Sequence, residues 1–193
     1  MARLGLYGGS FDPVHLGHLL VAQAAVEELA LDRLHFIPAT QSPFKPESQP
    51  ASAALRIRML RLALAGHDRI EVDDQETRRG GISYSIDTVR DYLARFPGTE
   101  LFWLIGADHV VSLPRWREAE ELARRVEFVV IPRPGSPLAN LPSPYRLREL
   151  RGFPLSLSSS EIRTRVRAGR SITHLVPAAV AEVILTEKLY ASG

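Results

Sequence analysis

Three glycines and two histidines crowd into the stretch Gly8-Gly9-Ser10-Phe11-Asp12-Pro13-Val14-His15-Leu16-Gly17-His18, which follows a short apolar run and precedes a long one. A seam between strand and helix presents unpaired backbone N–H groups and the positive end of the helix dipole, which suits phosphate. His15 and His18 stand three apart at the helix start, a spacing that lays both side chains on one face over that end. Gly17 between them leaves room for a bulky ligand against the backbone. The pair also reads as ordinary helix-start histidines or as half of a zinc site, but zinc wants a third ligand, and no His, Cys or paired carboxylate stands at a suggestive spacing.

A second anion-binding pattern lies far downstream. Leu157-Ser158-Ser159-Ser160-Glu161-Ile162-Arg163 sets serines ahead of a helix and an arginine on its first turn. Hydroxyls and free N–H groups there can take phosphate oxygens, and Arg163 adds a forked, permanent charge. By itself a triple serine is an N-cap. Between the two patterns stand further candidates. Trp116 follows a proline in a loop-like stretch and offers a face to a flat ring, whereas Trp103 sits inside an apolar strand and reads as core. Asp108, just after Gly106, either meets a ligand or caps the following helix. Lys45 is the one lysine of a long loop.

Positioning these groups takes a scaffold, which the periodicities supply. Residues 3–7 read as a buried strand, 16–31 as a helix apolar nearly all round, and 34–38 as a strand, making a right-handed βαβ unit. Residues 39–52, rich in Pro, Ser and Gln, form a loop. A helix over 53–65 turns Leu55, Met59, Leu62 and Ala63 inward, and a strand over 70–72 follows. Gly80-Gly81 breaks the chain before a helix over 85–95. Residues 101–105 are a strand buried on both faces, 117–125 a helix, and 126–131 a further strand. Residues 132–148 read as a surface excursion, 155–157 as a short strand, 161–167 as the start of a helix, and 177–189 as a final helix. This alternation predicts an α/β chain: a Rossmann-like doubly wound open sheet, mostly parallel, with helices on both faces and a small C-terminal helical part. Its ligands would sit at the carboxyl ends of strands, where the strand order reverses. The expected organisation is one domain over 1–193.

Composition narrows the class. With 45% apolar and 24% charged residues the 193-residue chain reads as globular, and with no cysteine it has neither disulfides nor a thiol nucleophile. The start carries no charged-then-apolar leader and no run is long enough to span a bilayer, so the expectation is a cytoplasmic protein with no membrane association. A net charge of +2 with arginines spread along the chain argues against nucleic acid as a partner. In the cluster Arg163, Arg165, Arg167 and Arg170 three of the four read as a solvated face. A homo-oligomer is neither required nor excluded.

The stretch from Gly8 to His18 resembles the signature of the HxGH nucleotidyltransferases, and the Ser158 to Arg163 segment is similar to that family's second element, in the same order. Ser83-Tyr84-Ser85-Ile86-Asp87-Thr88, Gly106-Ala107-Asp108-His109 and Leu113-Pro114-Arg115-Trp116 resemble the corresponding segments of bacterial nicotinate-nucleotide adenylyltransferases, and the likeness runs from residue 5 to about 190. The resemblance implies transfer of AMP from ATP to nicotinate mononucleotide in NAD biosynthesis, with Mg2+ arriving on ATP and no protein metal site. It implies catalytic roles for His15, His18, Lys45 and Arg163. ATP would be bound by Gly8, Gly9, Ser10, Phe11, His15, Gly17, His18, Gly106, Asp108, Ser158, Ser159 and Arg163. The pyridine nucleotide would be bound by Tyr84, Ser85, Trp116 and Lys45. Phe44 stands where the family commonly has histidine, and Ser85 and Ser160 where it commonly has threonine. Rival readings keep the same transfer but use nicotinamide mononucleotide or phosphopantetheine as acceptor, or make the chain a regulatory module that binds nucleotide without catalysis. An RNA-related module is disfavoured, since no basic stripe with interleaved aromatics is present.

Overall fold

The computed structural model describes residues 1–41, 43, 50–133, 140–153 and 155–191. Its centre is a six-stranded sheet of β1 (Arg3–Gly9), β2 (Arg33–Pro38), β3 (Ile70–Val72), β4 (Glu100–Gly106), β5 (Glu127–Ile131) and β6 (Leu147–Glu149). The spatial order is β3-β2-β1-β4-β5-β6, and every pairing is parallel. The chain lays down β1, steps outward through β2 and β3, then returns to the other side of β1 with β4. The order therefore reverses between β1 and β4, and the crevice beyond their carboxyl ends is where such sheets bind ligands.

Side chains alternate across the sheet, so each strand feeds two cores. On one face Tyr7, Leu34, Phe36, Phe102, Leu104 and Val129 pack with α1 (Leu16–Glu28), α2 (Ala53–Ala63), α7 (Ser159–Arg167) and α8 (Ala178–Thr186). On the other, Leu4, Leu6, Leu101, Trp103, Ile105, Phe128 and Val130 pack with α4 (Ser85–Arg95), α5 (Ala107–Val110) and α6 (Ala119–Arg125). A buried polar chain crosses this second side. The His35 imidazole meets the Tyr92 hydroxyl at 2.7 Å, Tyr92 donates to Asp73 at 2.7 Å, and Arg95 donates to the same carboxylate oxygen at 2.7 Å. Among the described residues no helix is long and apolar enough to cross a membrane.

The sheet is the expected open α/β sheet, parallel at every pairing among the described residues, and the fold departs from the sequence expectations at three places. Residues 155–157 form no strand; the sixth strand is Leu147–Glu149, inside the stretch read as a surface excursion. That strand is three residues long, lies at the sheet edge and exposes Arg148 and Glu149, so it carries no apolar run to betray it. A short α3 (Gln75–Arg79) precedes Gly80 where a connection was expected. The buried face of α2 is Arg56, Met59, Leu60 and Ala63, rotated from the predicted stripe, and Leu62 is exposed. The rotation follows from Arg56, which is 2% exposed because its guanidinium is spent on backbone carbonyls.

The segment that carries Lys45 leaves and rejoins the described structure at fixed posts. Before it, the backbone N–H of Thr40 donates to the Ser83 hydroxyl and that of Ser83 to the carbonyl of Gln41, both at 3.0 Å. After it, the backbone N–H of Ala51 donates to Asp12 Oδ1 at 3.1 Å. Lys45 and Phe44 themselves lie outside the described residues.

Candidate active site

Strand β1 ends at Gly9 and α1 begins at Leu16, so Ser10 to His15 make the turn over the carboxyl edge of the sheet. Phe11 takes a left-handed backbone, φ 47°, which costs a residue with a side chain and persists only when its surroundings fix it. Its ring is clamped edge-on against Tyr7 and His18 and tilted against Phe36, with centroids 5.0–5.4 Å away. The aromatic clamp therefore sets the shape of the turn.

His15 caps α1, and its imidazole stacks on that of His18 with centroids 3.7 Å apart. The backbone N–H of His15 donates to His18 Nδ1 at 3.2 Å. A nitrogen that accepts carries no proton, so the His18 ring is the neutral tautomer with its hydrogen on Nε2, a donor. Burial, the neighbouring His15 and the Arg133 guanidinium all push His18 well below the ordinary histidine range. Burial first and Arg133 second lower His15 to about 4. His15 Nδ1 is buried without a hydrogen-bond partner. Such a group costs stability until something polar meets it. A side-chain carbon at Gly17 would lie 3.1 Å from the His15 ring, so that glycine makes room for the imidazole itself.

The second motif docks directly on this turn. Ser158 caps α7, its hydroxyl accepting from the backbone N–H of Glu161 at 3.2 Å. The Ser159 hydroxyl donates to the carbonyl of Pro13 at 2.8 Å, and Arg163 Nη1 donates to the carbonyl of Asp12 at 2.7 Å. Both serine hydroxyls thus serve the protein's own geometry, leaving the first-turn N–H groups and the rest of the Arg163 guanidinium to serve an anion.

Across the crevice Gly106 ends β4, and Asp108 sits in the first turn of α5 rather than capping it. A side-chain carbon at Gly106 would come within 2.4 Å of Asp108 Oδ1. Arg133 follows β5 and reaches that same oxygen with Nε at 3.3 Å. Farther along this face Tyr84 caps α4, Ser85 is that helix's first residue, and Trp116 follows a short 3₁₀ turn, Leu113–Arg115. Tyr84 and Trp116 border the same apolar cluster and are half-buried. The Trp116 indole N–H donates to the Ser112 hydroxyl at 3.3 Å, and the Arg117 guanidinium lies 4.6 Å over the Tyr84 ring. Trp103 is core, 4% exposed.

The structure therefore gathers Gly8 to His18 and Ser158 to Arg163 through direct hydrogen bonds, and sets Tyr84 and Trp116 at the margin of the apolar cluster that also takes Ala107 and Val110 of α5. Three residues with a part here escaped the sequence reading. Arg133 follows a buried strand's carboxyl end, the very signal that marked Asp108. Arg56 and Tyr190 reveal themselves only through contacts distant in sequence: Arg56 Nη1 donates to the carbonyl of Ser10 at 2.7 Å, and the Tyr190 hydroxyl donates to Asp12 Oδ1 at 2.6 Å. Among the described residues no group of three or more His, Asp or Glu gathers to hold a metal. The crevice donors are neutral imidazoles, arginines and backbone N–H groups, a set for anions rather than cations.

Known proteins carry the same fold. A Plasmodium falciparum nicotinic acid mononucleotide adenylyltransferase complexed with NaAD superposes with a TM-score of 0.80 at 18% identity, covering 98% of each chain. The same enzyme complexed with APC gives 0.78, again at 18% identity and 98% of each chain. In sequence, a probable nicotinate-nucleotide adenylyltransferase of Opitutus terrae is 44% identical over 191 residues, 97% of both chains. One of Gemmatimonas aurantiaca is 46% identical over 195 residues, 97% of this chain and 92% of the relative. The cytidylyltransferase-like family model matches residues 6–165. The chain belongs to the cytidylyltransferase-like family, in its branch of nicotinate-nucleotide adenylyltransferases.

Proposed function

We propose that the crevice transfers the adenylyl group of ATP to the 5′-phosphate of nicotinate mononucleotide, giving nicotinate adenine dinucleotide and pyrophosphate. A phosphate oxygen of the mononucleotide attacks the α-phosphorus of ATP, the bond from that phosphorus to the bridging oxygen of the β-phosphate breaks, and pyrophosphate leaves with its electron pair. No covalent enzyme intermediate is needed, so the protein's work is to align the two anions and neutralise charge as it builds. The observation that carries this reading is the docking of Ser159 and Arg163 onto the Asp12-Pro13 turn beside the His15-His18 stack. It supports a triphosphate held between the starts of two helices.

On this reading His18 Nε2–H donates to the α- or β-phosphate, while His15 supports it through the stack and the backbone hydrogen bond. Arg163 and the first N–H groups of α7 take the outer phosphates. Gly8, Gly9, Ser10 and Phe11 lie against ATP, Gly17 serves it indirectly by making room for the His15 ring, and Gly106 and Asp108 meet the adenosine. Arg133 adds positive potential over the phosphates, and the family resemblance assigns Lys45 to them as well. Trp116 stacks on the pyridine, and Tyr84 with the α4 start at Ser85 receives the carboxylate. Mg2+ would come with ATP and would supply neutralisation of the phosphate charge, while His18, Arg163 and the first N–H groups of α7 meet the phosphates themselves. The absence of cysteine suits a reducing compartment, and we assign the reaction to the cytoplasm.

Pyrophosphate release tests the reading, measured with ATP, Mg2+ and each of three acceptors. Nicotinate mononucleotide should be turned over much faster than nicotinamide mononucleotide or phosphopantetheine. Equal or reversed preference defeats the acceptor assignment, and nucleotide binding without any pyrophosphate defeats catalysis.

A further inference from the structure

Asp12 is the least exposed carboxylate at the crevice, 6% exposed, and four residues distant in sequence converge on it. Oδ1 accepts from the Tyr190 hydroxyl at 2.6 Å and from the backbone N–H of Ala51 at 3.1 Å. Oδ2 faces Arg163 Nη1 at 3.8 Å, beyond hydrogen-bond length, while that same Nη1 donates to the Asp12 carbonyl. Arg56, fixed on the carbonyls of Ser10 and Ala51, supplies positive potential from behind.

A buried carboxylate must be compensated, and it takes whichever donor is nearest. Here the closest partner is a neutral hydroxyl. Burial, then the hydrogen bond to Asp12, push Tyr190 far above the ordinary tyrosine range, so it is always a donor. With Oδ1 satisfied in this way, the guanidinium of Arg163 is not drawn into a bidentate pair. It spends one N–H on the Asp12 carbonyl and one on the Ser160 hydroxyl at 3.2 Å, and its side chain stays 29% exposed. The remaining N–H groups are left for an anion. The segment that leads into α8 holds the turn at another point, where the carbonyl of Leu175 accepts from the backbone N–H of Leu16 at the start of α1.

We propose that Tyr190 is a positioning residue for adenylyl transfer: by occupying the Asp12 carboxylate it holds Arg163 in the crevice for the ATP phosphates. This rests on the triphosphate reading given above and names a residue that reading does not use. Without the hydroxyl, Oδ1 keeps only a backbone donor, Arg163 closes the gap to Oδ2, and its grip on ATP weakens. The ring itself packs at the margin of the core, so Tyr190→Phe keeps the packing and removes only the donor.

Steady-state kinetics of Tyr190→Phe tests this, with thermal unfolding run alongside. We expect KM for ATP to rise about tenfold, the cost of one charge-assisted hydrogen bond, with kcat and KM for nicotinate mononucleotide within about twofold. In an Arg163→Lys background, where the guanidinium is gone, Tyr190→Phe should raise KM for ATP less than twofold further. Calorimetric titration with ATP gives the same comparison without turnover. An unchanged KM for ATP, an equal rise for both substrates, or the same tenfold rise in the Arg163→Lys background overturns the proposal. Wild-type protein that releases no pyrophosphate would overturn the adenylyl-transfer reading instead, which the wild-type control distinguishes.

Discussion

The two sides of the crevice are held in opposite ways. The turn from Ser10 to His18 and the start of α7 lock together through buried or half-buried bonds to backbone carbonyls: Ser159 to Pro13, Arg163 to Asp12, Arg56 to Ser10. The Tyr84 and Trp116 side is tied down by charges facing water. Arg90 reaches Glu118 at 2.5 Å and Glu121 at 2.6 Å, and Arg117 lies 3.8 Å from Asp87, with about a third or more of each side chain exposed. Buried bonds hold geometry against salt and thermal motion, whereas exposed pairs are individually weak and screened. The difference matches the demands on each side. On the proposed reading, charge builds on the phosphate oxygens, where a displacement of an ångström is expensive, while the pyridine is a handle remote from the bond that breaks.

The largest effect expected from breaking this comparison is at His18. His18→Ala should lower kcat by about 10² to 10³, the usual cost of deleting one donor aimed at developing charge, with little change in KM for the acceptor. A fall of less than tenfold would remove His18 from the charge. Next comes Trp116→Ala, which should raise KM for nicotinate mononucleotide by about tenfold through lost stacking, leaving KM for ATP unchanged. A rise in both constants would mean that the two sides are not separable.

Acidity sharpens the contrast further. His15 and His18 are neutral at pH 7, and their protonation is opposed by burial and by Arg133. The acid limb of kcat/KM for ATP should therefore lie well below 6.5, and a midpoint at or above 6.5 contradicts the tautomer assigned to His18. Stability follows the same groups. The unfolded chain takes up protons on these histidines from about 6.5 downward, while the folded one resists until about 4 at His15, so unfolding free energy falls as pH drops through that window. Chemical denaturation at pH 7 and pH 5 measures the loss.

The smallest effect is expected at Arg90. Arg90→Ala should raise KM for nicotinate mononucleotide about threefold at low ionic strength and by nothing measurable near 1 M salt. A salt-independent change would mean that the Trp116 segment is held by something other than these exposed pairs.

How much of this was legible in the sequence depended on whether the signal was local. Parallel strands buried on both faces must be continuous apolar runs, so Leu101 to Ile105 and Phe128 to Ile131 announced themselves, and with them the class of fold. The edge strand at Leu147 faces water and needs no such run, while Leu155-Ser156-Leu157 mimics a strand but pairs with nothing. Within the site, the motifs at Gly8 to His18 and Ser158 to Arg163 are contiguous and could be read directly. Gly17 could be read only in part, because the ring it accommodates is His15 of the same turn. Arg56 lies outside the apolar stripe read for its helix and carries no local signal of burial. Nothing short of the fold brings it to the carbonyl of Ser10, or Tyr190 to Asp12.

The bond between Tyr190 and Asp12 joins positions 178 residues apart. A ribosome adding roughly 5–20 residues per second needs about nine to thirty-six seconds to make that span. The turn at Ser10 to His18 is therefore made well before the hydroxyl that its carboxylate takes. Contacts of such long separation close late and cooperatively with the sheet. On the proposed reading the grip on ATP therefore requires the chain through Tyr190: one clipped between α8 and Tyr190 keeps both motifs but not the bond that positions Arg163.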